Sequence, residues 1–201
     1  MGVGNCSRAL ACLHLHYFAN NLLLLEKNSD KKMEEALLSF SQNTGIYSIM
    51  GSRWGWPIIE SLHFFGLCLL IGTVGLFDLR MLGFVKAIPL SGMHKLVPIG
   101  VAGYFLNAIT GTMFFTSAPD QYLYNPAFQT KLIFMAGAGI NMLFFYSVCF
   151  KEVKNLGANQ QVSQPVKIIA GVSLLCWLGV ISAGRLITFY RPPAYWCFWC
   201  G

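Results

Sequence analysis

Apolar residues along this chain are gathered into four long runs that short polar segments separate. The runs cover residues 57–77, 96–116, 132–150 and 168–190. Each is about 20 residues long, which is the length that an α-helix needs to cross ~30 Å of hydrocarbon. Since a helix satisfies its own backbone hydrogen bonds inside lipid, the pattern predicts an all-α integral membrane four-helix bundle.

A shorter segment with a different pattern precedes the first run. Between Met33 and Ser48, apolar residues recur at helical spacing after an acidic start at Glu34 and Glu35. An amphipathic helix of this kind lies in the plane of the membrane surface. We therefore expect a surface helix before the first span.

The composition agrees with a membrane protein. Hydrophobic residues make up 55% of the 201 residues and charged residues only 11%, whereas soluble chains carry about 25% charged residues. The formal net charge is +6, but the basic residues lie in short loops beside the spans, where they set topology and meet anionic headgroups. Composition therefore predicts the lipid bilayer as a partner and excludes nucleic acid.

The spans and the surface helix define one membrane domain, residues 33–190. We expect residues 1–32 to be an N-terminal extension that either is not translated, with Met33 as the true start, or forms a disordered segment or a short surface helix. Residues 191–201 form an aromatic tail with a CxxC at Cys197 and Cys200. One CxxC without a second pair does not define a redox or metal site, although an oxidising compartment would allow a disulfide there.

The distribution of Lys and Arg predicts the orientation of the domain. The first and third loops hold three basic residues each: Arg80, Lys86 and Lys95 in one, Lys151, Lys154 and Lys167 in the other. The second loop has only Lys131, and the tail only Arg191. Because loops rich in Lys and Arg stay in the cytoplasm, we predict a multi-pass protein of the bacterial inner membrane with both ends of the domain in the periplasm.

Few polar side chains interrupt the apolar runs, and these are the candidate site. They are Glu60, His63, Asn107, Lys131, Asn141 and Arg185. With the predicted orientation, these groups approach the outer leaflet. Ionisable groups inside a membrane are costly and usually face a cavity or a partner. We therefore predict a polar ligand-binding pocket in the outer leaflet. The alternative is a structural ion pair between Glu60 and Arg185, with His63 hydrogen bonded beside it.

His63 is the one histidine inside a predicted span, which makes it the candidate metal ligand. Haem and copper are the cofactors to consider. A low-spin b-type haem takes two axial ligands, and His94 lies at the opposite side of the membrane. The alternatives are a haem with a single protein ligand, or a second ligand from Met113 or from another protomer. For copper, His63, Met113 and Met142 supply suitable ligand types, although membrane methionines are more often packing residues.

Several short stretches together resemble one protein family. They are Trp56–His63, Asp78–Gly83, Thr110–Phe114, Phe128–Lys131 with Asn141, and Gly184-Arg185. This combination resembles a family of small four-span bacterial inner-membrane proteins of unknown function. The resemblance covers about Met33 to Tyr190 and implies that the biological chain starts at Met33.

A more distant similarity rests on the spacing from Leu62-His63 to Leu79-Arg80 and on Lys131 at the head of the third span. This pattern resembles the membrane-type protoporphyrinogen oxidases, which bind haem, and the copper-resistance D family. This similarity implies a role facing haem or a metal for His63.

Two functions follow from these predictions. The first is a membrane protein that binds a haem, a metal or a small ligand in the outer-leaflet pocket, with no catalytic residue assigned and enzymatic activity left open. The alternative is a non-enzymatic accessory or structural subunit of a membrane complex. Either function allows a homo-oligomer.

Overall fold

All four predicted spans are helical in the computed structural model, which describes residues 25, 28–154, 156–157 and 159–190. The helices long and apolar enough to cross a membrane are Gly55–Leu82, His94–Ser117, Pro126–Val153 and Gln164–Phe189. The described residues contain no β-strand. The all-α fold and the four-helix bundle are therefore confirmed, and the chain is a multi-pass membrane protein.

We number the helices in chain order. They are α1 (28–43), α2 (Ile46–Gly51), α3 (Gly55–Leu82), α4 (Leu90–Met93), α5 (Val97–Ser117), α6 (Pro119–Tyr122), α7 (Pro126–Phe144), α8 (Phe150–Val153) and α9 (Gln164–Leu186). A 3-10 turn, His94–Leu96, leads into α5, a π-helical turn, Phe145–Cys149, joins α7 to α8, and a second 3-10 turn, Ile187–Phe189, follows α9.

The surface helix precedes the spans as predicted. Helix α1 ends in a turn at Gly45, whose φ of 76° lies in the left-handed region that favours glycine. Helix α2 then packs against α3 and α5 with its Met50 buried. Phe40, Tyr47 and Ile49 stay exposed, so this segment has an apolar surface free to contact the membrane.

The first spanning helix continues about a turn beyond the predicted run, to Leu82. It ends at Gly83, where φ is 96° and the backbone N–H bonds to the carbonyls of Leu79 and Arg80. This left-handed cap is a common way to end a helix at glycine. The extension includes Asp78 and Arg80, which are helical and buried (3% and 1% exposed) rather than part of a loop.

Helices α3 and α5 pack antiparallel through small residues. A Cβ atom added to Gly103 would lie 2.8 Å from the Gly66 carbonyl oxygen and 2.8 Å from the Leu70 backbone nitrogen. Near one end of the pair, Gly100 faces Thr73, and near the other, the Trp56 and Phe114 rings pack with centroids 4.9 Å apart. The two backbones therefore approach closely, as small residues allow between membrane helices.

Helices α7 and α9 form a second antiparallel pair. Gly179 lies against the Phe134 ring and Gly137 against the Cys176 sulfur. At the start of α7, the buried Asn125 side chain caps the helix by accepting from the Ala127 N–H at 3.0 Å and donates to the Ile187 carbonyl at 3.0 Å. This one side chain fixes the beginning of α7 to the end of α9.

The two pairs are joined mainly through α3 and α9. Among the described residues, α5 and α7 make only weak contact along their length, and aromatic contacts join the two sides near both ends. The Phe115 and Phe128 rings stack at 5.6 Å near the second loop, and His94 and Phe150 meet at 5.2 Å near the first and third loops. The helices are therefore least tightly closed between α5 and α7.

The largest buried apolar cluster lies at the end of the bundle formed by the first and third loops. It includes Met81, Leu90, Val153 and Val166. We call this end the basic pole, because it carries the six basic residues named above for those two loops, and the other end the second-loop pole. The cluster of buried apolar side chains is thus at the basic pole.

Two predicted segments lie beyond what the structure describes. Of the N-terminal extension, only residues 25 and 28–32 are described. The aromatic tail with Cys197 and Cys200 lies outside the described residues altogether.

Candidate functional site

His63 is held between α3 and α5 by one short hydrogen bond. It is half-buried, and its Nδ1 lies 2.8 Å from the Thr110 hydroxyl oxygen. The Phe114 ring meets the imidazole edge-on at 5.8 Å. Gly111 lies beside the ring, since a Cβ there would be 3.7 Å from His63 Cε1. The imidazole therefore has a fixed orientation.

The partner of Nδ1 also determines which ring nitrogen carries the proton. The buried Thr110 hydroxyl donates its single proton back along its own helix, to the Leu106 carbonyl at 2.7 Å. Toward His63 that oxygen can then only accept, because a hydroxyl has one proton to donate. This hydrogen-bond geometry favours the tautomer with the proton on Nδ1, which leaves the lone pair of the neutral ring on Nε2. No group in the described part of the chain hydrogen bonds to Nε2.

Lys131 comes to the same region from the other helix pair. It lies on α7, half-buried against α9, where a Cβ on Gly184 would be 4.0 Å from its Nζ. Its ammonium group is close enough to His63 to interact with it electrostatically. The structure thus brings together a cation from one helix pair and an imidazole from the other, on the side where α5 and α7 are least closed.

The two candidate asparagines lie in helix contacts. Asn107 donates to the Gly103 carbonyl of its own helix at 3.0 Å and packs against Gly66 of α3. Asn141 donates across to the Ile169 carbonyl of α9 at 3.1 Å. Both amides are therefore engaged in holding helix pairs together, and neither contacts His63.

Glu60 and Arg185 are the two candidates that the structure leaves apart. Both side chains are exposed on their helices, near the second-loop pole. Within the described residues they form no ion pair with each other, so the structural ion pair considered from the sequence is not formed inside this single chain. Their charged groups face whatever surrounds the bundle.

His63 itself is the protein group that could bind a metal at this site, and it would supply one ligand. No group of three His, Cys, Asp or Glu side chains that could hold a metal ion occurs among the residues that the structure describes. Met113 is half-buried and Met142 exposed. His63 Nε2 remains the available nitrogen, and its fixed Nδ1–H matches the outer hydrogen bond that metal-binding histidines usually make.

A second group of buried polar residues lies at the basic pole, and sequence reasoning missed it. Asp78 is buried, with Ser173 of α9 as its hydrogen-bonding neighbour. His94 packs between the Phe77 and Phe150 rings. One oxygen of Asp78 and Nε2 of His94 are buried without a hydrogen-bond partner in the structure as described. The signal in the sequence was the Asp78-Leu79-Arg80 triplet at the end of the first predicted span.

No protein-family model, no curated protein and no solved structure matches this chain. The resemblance to the four-span family therefore stays a prediction from the motifs quoted above.

Proposed function

We propose that this membrane protein binds a small ligand through His63 and Lys131. The observation that supports this most directly is the orientation of the imidazole, whose Nδ1 is bound to Thr110 while no hydrogen bond reaches Nε2 from the residues that the structure describes. Nε2 offers a lone pair, and Lys131 offers an ammonium donor near enough to act on the imidazole electrostatically. A small molecule that both accepts and donates hydrogen bonds matches this pair of groups.

A haem or a copper ion is the alternative ligand at the same nitrogen. His63 would supply one ligand through Nε2, with Thr110 holding the ring in place. The remaining coordination would come from Met113, from a bound molecule or from a second protomer. An absorption band of low-spin haem would require one of these as the opposite axial ligand.

Purification in detergent followed by absorption spectroscopy and metal analysis separates these ligand classes. We expect a bound molecule or metal in the native protein, and its loss in His63→Gln. Thr110→Val removes the acceptor that holds the ring and should lower occupancy. Its matched control is Thr112→Val on the same helix, because Thr112 is exposed and bonds only to the Ala108 carbonyl. Equal occupancy in native protein and His63→Gln would contradict the proposal.

A second function, that of an accessory subunit in a membrane complex, draws on Glu60 and Arg185. Both are charged groups on apolar spanning helices and are exposed in the single chain. Charges in this position are commonly met by a partner. A stable larger complex that co-purifies with the native chain and with His63→Ala, but is lost in Glu60→Gln or Arg185→Gln, would favour this function over ligand binding.

We also propose that the protein lies in a bacterial inner membrane with the basic pole in the cytoplasm. The support is the concentration of Lys and Arg in the first and third loops, which the positive-inside rule assigns to the cytoplasm. His63 then lies beneath the periplasmic surface, and a ligand would reach it from the periplasm or from the outer leaflet.

A further inference from the structure

A small recess at the basic pole lies between the first and third loops. Its volume is about 70 Å³, and three cationic side chains, Arg80, Lys86 and Lys167, help to line it. A water molecule takes up about 30 Å³ in the liquid, so the recess has room for a group of a few heavy atoms. It lies at the opposite pole from His63 and is independent of the proposed function.

Arg80 is the buried cation of this recess. Its Nε donates to the Ile88 carbonyl at 2.6 Å, and its Nη2 donates to the carbonyls of Gly157 and Gln160 at 3.1 and 3.3 Å. These carbonyls satisfy donors but carry no net charge. A guanidinium stays protonated in proteins, so its positive charge is buried (1% exposed) and not cancelled by these partners.

The carboxylates of this pole, Glu152 and Asp78, have hydrogen-bonding neighbours other than the three cations. Glu152 accepts from the backbone N–H and the hydroxyl of Ser163, both at 2.9 Å. Asp78 has Ser173 of α9 as its neighbour. Within the described residues, no carboxylate forms an ion pair with Arg80, Lys86 or Lys167. Buried charge is normally paired, and an anion from outside the chain would supply the missing partner.

The walls of the recess are fixed by contacts between the two loops. The Asn159 N–H donates to the Lys86 carbonyl at 2.8 Å, and Arg80 binds carbonyls of both loops. Gly83 lies in the wall at the end of α3, near the level where a spanning helix leaves the hydrocarbon. The three cations are therefore held together at the end of a spanning helix.

We propose that this recess binds a phosphate group. Tetrahedral phosphate oxygens accept hydrogen bonds from arginine and lysine, and a group of this size fits while the rest of its molecule stays outside. Two sources share this chemistry: the headgroup of an anionic phospholipid and a soluble phosphate. Basic pockets beside spanning helices on the cytoplasmic side commonly take anionic headgroups.

Native mass spectrometry of the full chain tests this proposal with two probes. One is phosphatidylglycerol titrated against phosphatidylcholine in mixed micelles, and the other is inorganic phosphate. We expect phosphatidylglycerol or inorganic phosphate to bind at one site. In Lys86→Gln/Lys167→Gln, that binding should weaken about 10- to 30-fold, since each lysine near an anionic headgroup contributes roughly a fivefold factor.

The matched control is Lys95→Gln/Lys151→Gln. It removes the same charge from exposed lysines of the same pole that do not line the recess. We expect binding within about twofold of the native protein, because diffuse surface attraction is weak and screened. Thermal unfolding of both double variants should match the native chain, which separates loss of the site from loss of the fold.

The outcomes distinguish the two sources and can overturn the proposal. Selective phosphatidylglycerol binding that inorganic phosphate does not displace identifies a lipid headgroup, and displacement by phosphate identifies a soluble phosphate. Equal weakening in the two double variants would overturn the proposal, because it would show attraction to the whole basic pole. Absence of selective binding of either probe would overturn it as well.

Discussion

Arg80 and Asp78 are two ionisable residues that this bundle buries. Both lie near the end of α3, where a charge next to the headgroups costs little in a spanning helix. The structure instead buries them, since the first and third loops fold over Arg80 and α9 packs against Asp78. Their environment is therefore made by protein groups and depends on the loops staying closed.

Replacing Arg80 with methionine should destabilise the protein by about 3 kcal/mol, because the carbonyls of Ile88, Gly157 and Gln160 would lose a charged donor. Arg80→Lys should recover only part of this loss, since an ammonium lacks the planar fork that reaches both loops. Thermal unfolding in a fixed detergent measures the change, with the exposed Lys151→Met as the control. If Arg80→Met unfolds at the same temperature as Lys151→Met, the arginine does not hold the loops.

At the scale of single residues, the sequence drew attention to some polar side chains of the bundle and not to others. His63 was singled out because it is the one histidine inside an apolar run. Asp78 and His94 were missed because they stand at the ends of runs, where the sequence does not show that loops and neighbouring helices will cover them. The absence of an ion pair between Glu60 and Arg185 depends on how far each helix is rotated, which apolar runs of nearly uniform hydropathy do not encode.

Small residues let the spanning helices α3 and α5 pack closely against each other. On α5, Gly100, Gly103, Thr110 and Gly111 face α3. Without a hydrophobic driving force inside lipid, such van der Waals contact is a main source of helix association.

Gly103→Ala should weaken the α3–α5 pair by about 1–3 kcal/mol, because the new methyl group would meet backbone atoms that cannot move aside. Gly72→Ala is the matched control, since nothing lies within 4 Å of a Cβ at that position. Unfolding in detergent, followed by circular dichroism, measures both variants. Equal effects of the two substitutions would show that the close crossing at Gly103 does not determine the pairing.

Helix ends were harder to predict than helix existence. The predicted third span began at residue 132, whereas α7 begins at Pro126 behind the Asn125 cap. The Asn-Pro pair is a recognisable helix start, but the polar residues after it masked the start of the span. The π-helical turn at Phe145–Cys149 has no sequence signal that periodicity could detect.

On the scale of the whole molecule, the two poles differ in chemistry. The second-loop pole holds His63 and Lys131 beside the least closed side of the bundle. The basic pole holds the buried apolar cluster, the buried Arg80 and the cationic recess. The number of spans and the charge asymmetry were predictable, because both follow from composition along the chain. The pairing order of the helices was not, since it depends on side-chain fit.

Single-cysteine labelling tests which pole faces the cytoplasm. In a background without native cysteines, Asp120→Cys should react with a membrane-impermeant maleimide in intact spheroplasts. Lys154→Cys should react only after the membrane is permeabilised, because the third loop is expected inside. Both positions are exposed, so accessibility within the protein is matched. The reverse pattern would contradict the orientation and would place His63 beneath the cytoplasmic surface.

The proposed site depends most on which ring nitrogen of the neutral His63 carries the proton. Nitrogen-15 NMR of histidine-labelled protein at a pH where His63 is neutral distinguishes its two ring nitrogens directly. We predict a protonated Nδ1 and an unprotonated Nε2, with the preference lost in Thr110→Val and kept in Thr112→Val. A neutral His63 that carries its proton on Nε2 in the native protein would contradict the account, because the nitrogen assigned to the ligand would then have no free lone pair.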